Sequence, residues 1–242
     1  MIRTLWFYLV LFVSTMVHGL TAIFAGIFRL KSRPLYDWTT QDWARWNLWA
    51  AGTPIDLQGL ERVPRDTPVV YASNHSSMFD IWALSLMLPG STRFVAKAEL
   101  ARVPVMGPAM LRAGHVTIDR FNRARAFEAY DRAAATIKSG ISTIVFPEGT
   151  RSRTGELQPF KNAPFGLALA AQVPIVPVYV HNTFQIMPKG AWRLRRLPIR
   201  IRIGEPIPTA GMTLDDREAL RDKVRAAIVQ LRARVDSAAG VS

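Results

Sequence analysis

Residues 69–82 read Val69-Val70-Tyr71-Ala72-Ser73-Asn74-His75-Ser76-Ser77-Met78-Phe79-Asp80-Ile81-Trp82. The run opens on residues that suit a buried strand, breaks at small polar residues, and resumes at Phe79 with a pattern that suits a helix. His75 therefore falls at a strand-to-helix turn. Asp80 falls one turn into the helix, where its carboxylate can fold back and accept a hydrogen bond from one imidazole nitrogen. The other nitrogen is left free to take a proton. This is the base and orienter of a serine triad without the serine, and it suits a reaction whose nucleophile is a hydroxyl of the substrate. On spacing alone, a surface histidine followed by a helix-capping aspartate explains the same residues, so the flanking segments decide.

Working outward, short apolar runs at 69–72, 93–96, 115–118, 142–146, 175–180 and 199–203 read as strands. Residues 79–88, 104–113, 122–138, 161–171 and 213–236 read as helices. This alternation predicts an α/β fold with a mainly parallel central sheet flanked by helices. In such sheets functional groups gather in loops beyond the carboxyl ends of strands. One such loop is Phe146-Pro147-Glu148-Gly149-Thr150-Arg151-Ser152. Pro147 and Gly149 force a turn that can present backbone N–H groups and the Arg151 guanidinium. An arginine fork grips a phosphate through two parallel hydrogen bonds. Glu148 fits beside a phosphate only if it binds a hydroxyl or orients Arg151. An ordinary loop with an exposed ion pair is the plain alternative for this segment taken alone.

The 242 residues, 49% of them apolar, suit one sizeable domain with an attachment. Cysteine is absent, which excludes disulfides, thiolate metal sites and a cysteine nucleophile. The 31 basic residues outweigh 18 acidic ones, a net +13 that favours phosphate-bearing partners: nucleic acid, anionic lipid, or phosphorylated substrates. Residues 5–28 carry no Lys, Arg, Asp or Glu. As a helix they reach about 36 Å, at about 1.5 Å per residue, enough to cross a bilayer. The run is also longer than the apolar region of about 7 to 15 residues in a signal peptide. Arg29, Lys31 and Arg33 come directly after the run and only Arg3 precedes its core, so the domain beyond it is expected on the cytoplasmic side of the inner membrane. Gly19 and Gly26 leave open a bend into a hairpin within one leaflet. Trp38, Trp43, Trp46 and Trp49 recur at helical spacing, predicting an interfacial helix over about 37–50, with core packing of the indoles as its rival. The expected organisation is an anchor over residues 1–50 and a catalytic domain over 51–242.

Taken together, the segments resemble the lysophospholipid acyltransferase family typified by 1-acylglycerol-3-phosphate acyltransferases. Asn74-His75 through Asp80 matches its NHxxxxD block and Phe146 to Ser152 its FPEGTRS block. Phe94 to Leu100, continuing through Pro104, Gly107, Gly114 and Ile118-Asp119-Arg120, resembles its second block. Val173-Pro174-Ile175-Val176-Pro177-Val178 resembles the fourth, and order and spacing agree over about residues 50–205. The resemblance implies that His75 deprotonates a glycerol hydroxyl of lysophosphatidic acid while Asp80 orients the imidazole. The hydroxyl oxygen then attacks an acyl thioester, and phosphatidic acid forms. It implies that Glu148, Gly149, Thr150 and Arg151 hold the acceptor's phosphoglycerol end, with Lys97 and Arg120 adding positive charge. It implies no cofactor, only acyl-CoA or acyl carrier protein as co-substrate, and membrane lipids as partners. One departure is Asn162-Ala163-Pro164 where the family usually has a glycine; proline suits the first turn of a helix, so the change reads as structural.

His18, His115 and His181 have no carboxylate at useful sequence spacing and read as packing residues, and no ligand cluster suggests a metal. A nucleic-acid partner is not expected: the arginines at 193, 195, 196, 200 and 202 lack an aromatic stacking platform and accompany an apolar N-terminus. The alternatives to a lysophosphatidic acid acceptor are another lysolipid, such as a lyso-ornithine lipid, or a non-catalytic lipid-binding protein on the same fold.

Overall fold

The computed structural model describes residues 1–30, 32–119 and 123–238. Two helices come first, α1 (Ile2–Ile27) and α2 (Arg33–Ala51). The strands are β1 (Ile55–Gln58), β2 (Val70–Ser73), β3 (Thr92–Lys97), β4 (Val116–Ile118), β5 (Ser142–Val145), β6 (Ile175–His181) and β7 (Ile199–Ile203). Interleaved with them are α3 (Phe79–Met87), α4 (Met106–Arg112), α5 (Arg123–Lys138), α6 (Ala163–Ala171), α7 (Thr183–Ile186) and α8 (Arg217–Ala238). One sheet runs in the order β1-β7-β6-β2-β5-β3-β4. Every neighbouring pair is parallel except β6 and β7. The mainly parallel α/β sheet predicted from the alternation is therefore present. The sequence reading missed β1, whose alternating half-exposed residues Ile55 to Gln58 carry little apolar signal, and the single turn of α7.

Side chains of successive strand residues leave opposite faces of the sheet, and the two halves of the core follow that rule. Tyr71 and Ile144 pack with Phe79, Trp82 and Leu84 of α3 on one face. Val70, Ala72 and Val145 pack with Ile137, Phe165, Val224 and Ile228 of α5, α6 and α8 on the other. Because β2 pairs with β5 in parallel, Ala72 opposite Val145, the turns that leave these two strands emerge side by side. These are the turns that carry His75 and Arg151.

The N-terminal helices join this core rather than standing apart from it. Phe7 is fully buried, stacked 5.6 Å from Phe79 and edge-on to Trp82. Asp37 of α2 accepts hydrogen bonds from Ser91 and from the buried Arg93, at 2.6 Å for the latter. The opposite face of α1, with Leu5, Leu9, Phe12 and Phe24, is exposed. The bend in the apolar segment that Gly19 and Gly26 left open does not occur, since α1 is continuous from Ile2 to Ile27. A Cβ on Gly19 would lie 2.6 Å from Val105 Cγ1, and one on Gly26 would lie 2.3 Å from Arg112 Cδ. These glycines therefore admit the chain at and around α4 against α1. The hairpin is made by α1 and α2 together. Of the four clustered indoles, Trp43 faces inward, 5.7 Å from Trp82 and bonded through Nε1 to Thr15. Trp38, Trp46 and Trp49 are exposed. Core packing of the indoles thus holds for Trp43, while the other three are left on the surface.

Candidate active site

β2 ends at Ser73, and the chain turns through Asn74 to Met78 before α3 begins. Asn74 fixes the turn: its Nδ2 donates to the Val180 carbonyl at 2.9 Å and its Oδ1 accepts from the Val180 N–H at 2.8 Å. The side chain thereby acts as one more rung between β2 and β6. Asp80 lies in the first turn of α3 and is fully buried. Its Oδ2 accepts three hydrogen bonds: from His75 Nδ1 at 2.8 Å and from the backbone N–H groups of Ser76 at 2.7 Å and Ser77 at 2.8 Å. With Nδ1 committed as a donor, the neutral ring carries its lone pair on Nε2. His75 lies 3.9 Å from the Phe146 ring in a near-parallel stack, which fixes the plane of the imidazole at the cavity wall.

The second turn is stitched to the first. Phe146 O accepts from Gly149 N–H at 2.9 Å, with Gly149 at φ 74° in the left-handed region where a side chain is strained. Ser152 N–H donates to the His75 carbonyl at 2.7 Å. Glu148 is buried, and its Oε1 accepts the His75 N–H at 2.7 Å while Oε2 accepts the Gln158 N–H at 3.1 Å. Burial pushes its carboxyl up to about 7, partly offset by those two hydrogen bonds. Glu148 is thus turned inward, holding the His75 backbone, and does not line the cavity as Gly149, Thr150 and Arg151 do. Among the described residues its carboxylate meets these backbone N–H groups and not Arg151, the partner considered from sequence.

The cavity between the two turns has a volume of about 370 Å³ and runs from His75 past Phe94 and Met110 to Thr15 and Gly19 of α1. Its mouth is basic. Lys97, Arg151 and Lys189 all line it. Lys97 is half exposed and paired with Glu99 at 3.0 Å. Arg151 and Lys189 pair with no carboxylate among the described residues. The backbone N–H groups of Thr150 and Arg151 donate to no protein acceptor among the described residues either. Cationic side chains and consecutive free N–H groups around a left-handed glycine form a concavity suited to an anion. Arg120 lies outside the described residues.

Two histidines set aside from sequence also reach this cavity. Nδ1 of His115 accepts the Phe94 N–H at 3.0 Å. Burial pushes His115 down to about 3, with Arg93 adding to the effect, so it is a neutral ring whose proton is on Nε2. His18 does meet a carboxylate, Asp42 Oδ2 at 3.0 Å; the partner is on α2, so sequence spacing gave no sign of it. Asn74 and Lys189 were also missed. Asn74 was part of a recognised block without a role, and nothing local separates Lys189 from the other basic residues. Pro164 falls in the first turn of α6, as expected, and Asn162 bonds to Glu218 and Arg221 of α8.

Comparison with known proteins agrees with this geometry. The sequence profile of the Acyltransferase family matches residues 54–181, a span that contains both turns. A 1-acyl-sn-glycerol-3-phosphate acyltransferase of Cocos nucifera is 36% identical over 182 residues, covering 75% of this chain and 58% of that protein. The 1-acyl-sn-glycerol-3-phosphate acyltransferase alpha of Homo sapiens is 36% identical over 175 residues, covering 72% of this chain and 62% of that protein. The chain thus spans about three-fifths of the length of these curated relatives. The crystal structure of the 1-acyl-sn-glycerophosphate (LPA) acyltransferase PlsC from Thermotoga maritima superposes with a TM-score of 0.81 at 26% identity, covering 96% of this chain and 94% of that one. With the profile spanning more than half of the 242 residues and enclosing the His75–Asp80 turn and the Arg151 turn alike, this chain belongs to the Acyltransferase family.

Proposed function

We propose that the protein transfers a fatty acyl group from an acyl thioester to the free hydroxyl of lysophosphatidic acid, forming phosphatidic acid for phospholipid synthesis. The observation that carries this reading is the His75–Asp80 pair opening on a cavity whose mouth holds cations and N–H groups without an anionic partner. The acceptor's phosphate binds there, which brings its hydroxyl to His75 Nε2. That nitrogen takes the hydroxyl proton as the oxygen attacks the thioester carbonyl. Asp80 balances the imidazolium that results. Collapse of the tetrahedral intermediate forms the ester and releases the sulfur, a leaving group with a pKa near about 8.5 that needs little help to depart. The proton on His75 then returns to the thiolate or to water. The donor is acyl-CoA or acyl carrier protein, and the chemistry calls for no cofactor.

The acceptor is a lipid, and α1 explains how it arrives. α1 holds to the domain from Thr4 and Tyr8 at one end to Gly26 at the other. A bilayer-spanning α1 would drag the domain into the membrane with it. The exposed apolar face of α1 and the outer tryptophans of α2 instead enter one leaflet. The test is an acyl-transfer assay of the detergent-purified protein against a panel of lysolipids, with acyl-CoA and acyl carrier protein donors in parallel. Phosphatidic acid from lysophosphatidic acid is expected. Acylation of a lysolipid lacking phosphate, with none of lysophosphatidic acid, would overturn the assignment.

A further inference from the structure

Beyond residue 181, where the family profile ends, the chain leaves β6, makes the single turn of α7 and enters a loop that returns to β7. Ala191 N–H donates to the Pro188 carbonyl at 3.0 Å, and Gly190 has φ 89°. Lys189 and Gly190 are therefore the two central residues of a tight turn, with glycine at the position that requires a positive φ. The turn points Lys189 at the cavity mouth, where its Nζ donates to Thr150 Oγ1 at 3.2 Å. The base of the loop is fixed to the catalytic turn: Ser77 Oγ donates to the Met187 carbonyl at 2.6 Å. Its far side is fixed to α1. Tyr8 Oη donates to the Trp192 carbonyl at 3.0 Å, and Leu194 N–H to Thr4 Oγ1 at 3.4 Å.

Building on the phosphate seat assigned above, we propose that Lys189 binds the phosphate of the acceptor and that Tyr8 of α1 is its positioning residue. A lysine whose nearest polar partner is a neutral hydroxyl, beside Arg151 and the free N–H groups of Thr150 and Arg151, adds a compact positive charge where an anion is held. Because the loop leans on α1, the helix that enters the lipid also sets the reach of Lys189. The acceptor's headgroup is thus gripped at the place where the chain meets the membrane.

The experiment measures steady-state kinetics of the full-length protein in detergent, varying lysophosphatidic acid at saturating donor and acyl-CoA at saturating acceptor. Lys189→Ala should raise the acceptor KM by about tenfold to a hundredfold, the loss of one hydrogen bond to a charged group, with kcat within about threefold. Lys189→Arg should recover most of that loss. Tyr8→Phe, which removes only the hydroxyl, should raise the acceptor KM by about threefold to tenfold, the loss of one ordinary hydrogen bond, and leave kcat alone. An unchanged acceptor KM in Lys189→Ala overturns the proposal, as does a raised KM for acyl-CoA alone, which would give Lys189 to the phosphates of the donor. An unchanged acceptor KM in Tyr8→Phe overturns the role of α1. If the parent protein does not acylate lysophosphatidic acid at all, the proposed function fails first, and the two failures are told apart by the parent's own rate.

Discussion

The two turns that face each other across the cavity are built on opposite principles. In the turn from Asn74 to Asp80, most polar groups around His75 are matched inside the protein, the exception being Asp80 Oδ1, which is buried without a hydrogen-bond partner. Asp80 Oδ2 takes three donors, Asn74 is paired with Val180 in both directions, and the His75 N–H and C=O are bonded to Glu148 and Ser152. In the turn from Phe146 to Ser152, the Arg151 guanidinium and the N–H groups of Thr150 and Arg151 have no protein partner among the described residues. A base must be held in one orientation before the substrate arrives, because pre-set geometry lowers the barrier. A binding seat must keep its donors unspent until the ligand supplies the acceptors. On the proposed function, the first turn should govern turnover and the second affinity, a division that single substitutions can break.

The largest effect should come from His75→Ala. Loss of the general base should lower kcat by about 10²- to 10⁴-fold, with the acceptor KM and the thermal transition little changed. A variant that kept most of its turnover would remove the base from the first turn. Glu148→Gln comes next, because Glu148 belongs to the second turn in sequence but serves the first. Burial raises its folded carboxyl to about 7 from an ordinary value of 4.5. A raised folded value means that the stabilisation is complete below 4.5 and is lost as the pH climbs through about 7, by at most about 3 kcal/mol. Thermal melts of the parent should fall over that window, and those of Glu148→Gln should lose that component. The amide also presents an NH2 where one backbone N–H needs an acceptor, so kcat should drop more than KM rises. Melts with the same pH dependence in both proteins would return Glu148 to the cavity.

Arg151→Ala should raise the acceptor KM by about tenfold to a hundredfold with kcat nearly intact. A fall in kcat at constant KM would place Arg151 in the chemistry of the first turn. The smallest change is expected for Gly149→Ala. The left-handed backbone there costs an alanine about 1–2 kcal/mol. Its Cβ would also lie 2.9 Å from Lys161 Cε, the end of a flexible side chain that can move aside. A modest loss of stability and of acceptor affinity, read by melting and by KM, would fit. A variant as stable as the parent would show that the turn does not depend on glycine.

Much of this was legible in the chain itself. The apolar runs that became β2 to β7 are buried strands with a strong local signature, and the His75-to-Asp80 spacing spans a strand end and one helical turn. That distance is set by local geometry, so the hydrogen bond could be anticipated. β1 was not, because its half-exposed residues become a strand only by pairing with β7, a partner more than a hundred residues away. Glu148 was legible as part of a block but not in its role. A carboxylate in a turn can face ligand or core, and only the packing of the two turns decides which. The apolar segment was legible as a helix, while its glycines suggested a bend that close contact with Val105 and Arg112 shows to be a packing need.

What the sequence by itself determined is what short-range physics controls: the alternation of strands and helices, the hydrogen bond between His75 and Asp80, the turn around Gly149, and the apolar length of α1. Only the tertiary structure decided which long-range partners those pieces meet. It turned Glu148 onto the His75 backbone, brought Lys189 to Thr150, set Asp42 against His18 and laid α1 along the domain. Each of these contacts joins residues far apart in the chain. Their spacing carries no information until the sheet order places one strand end beside another.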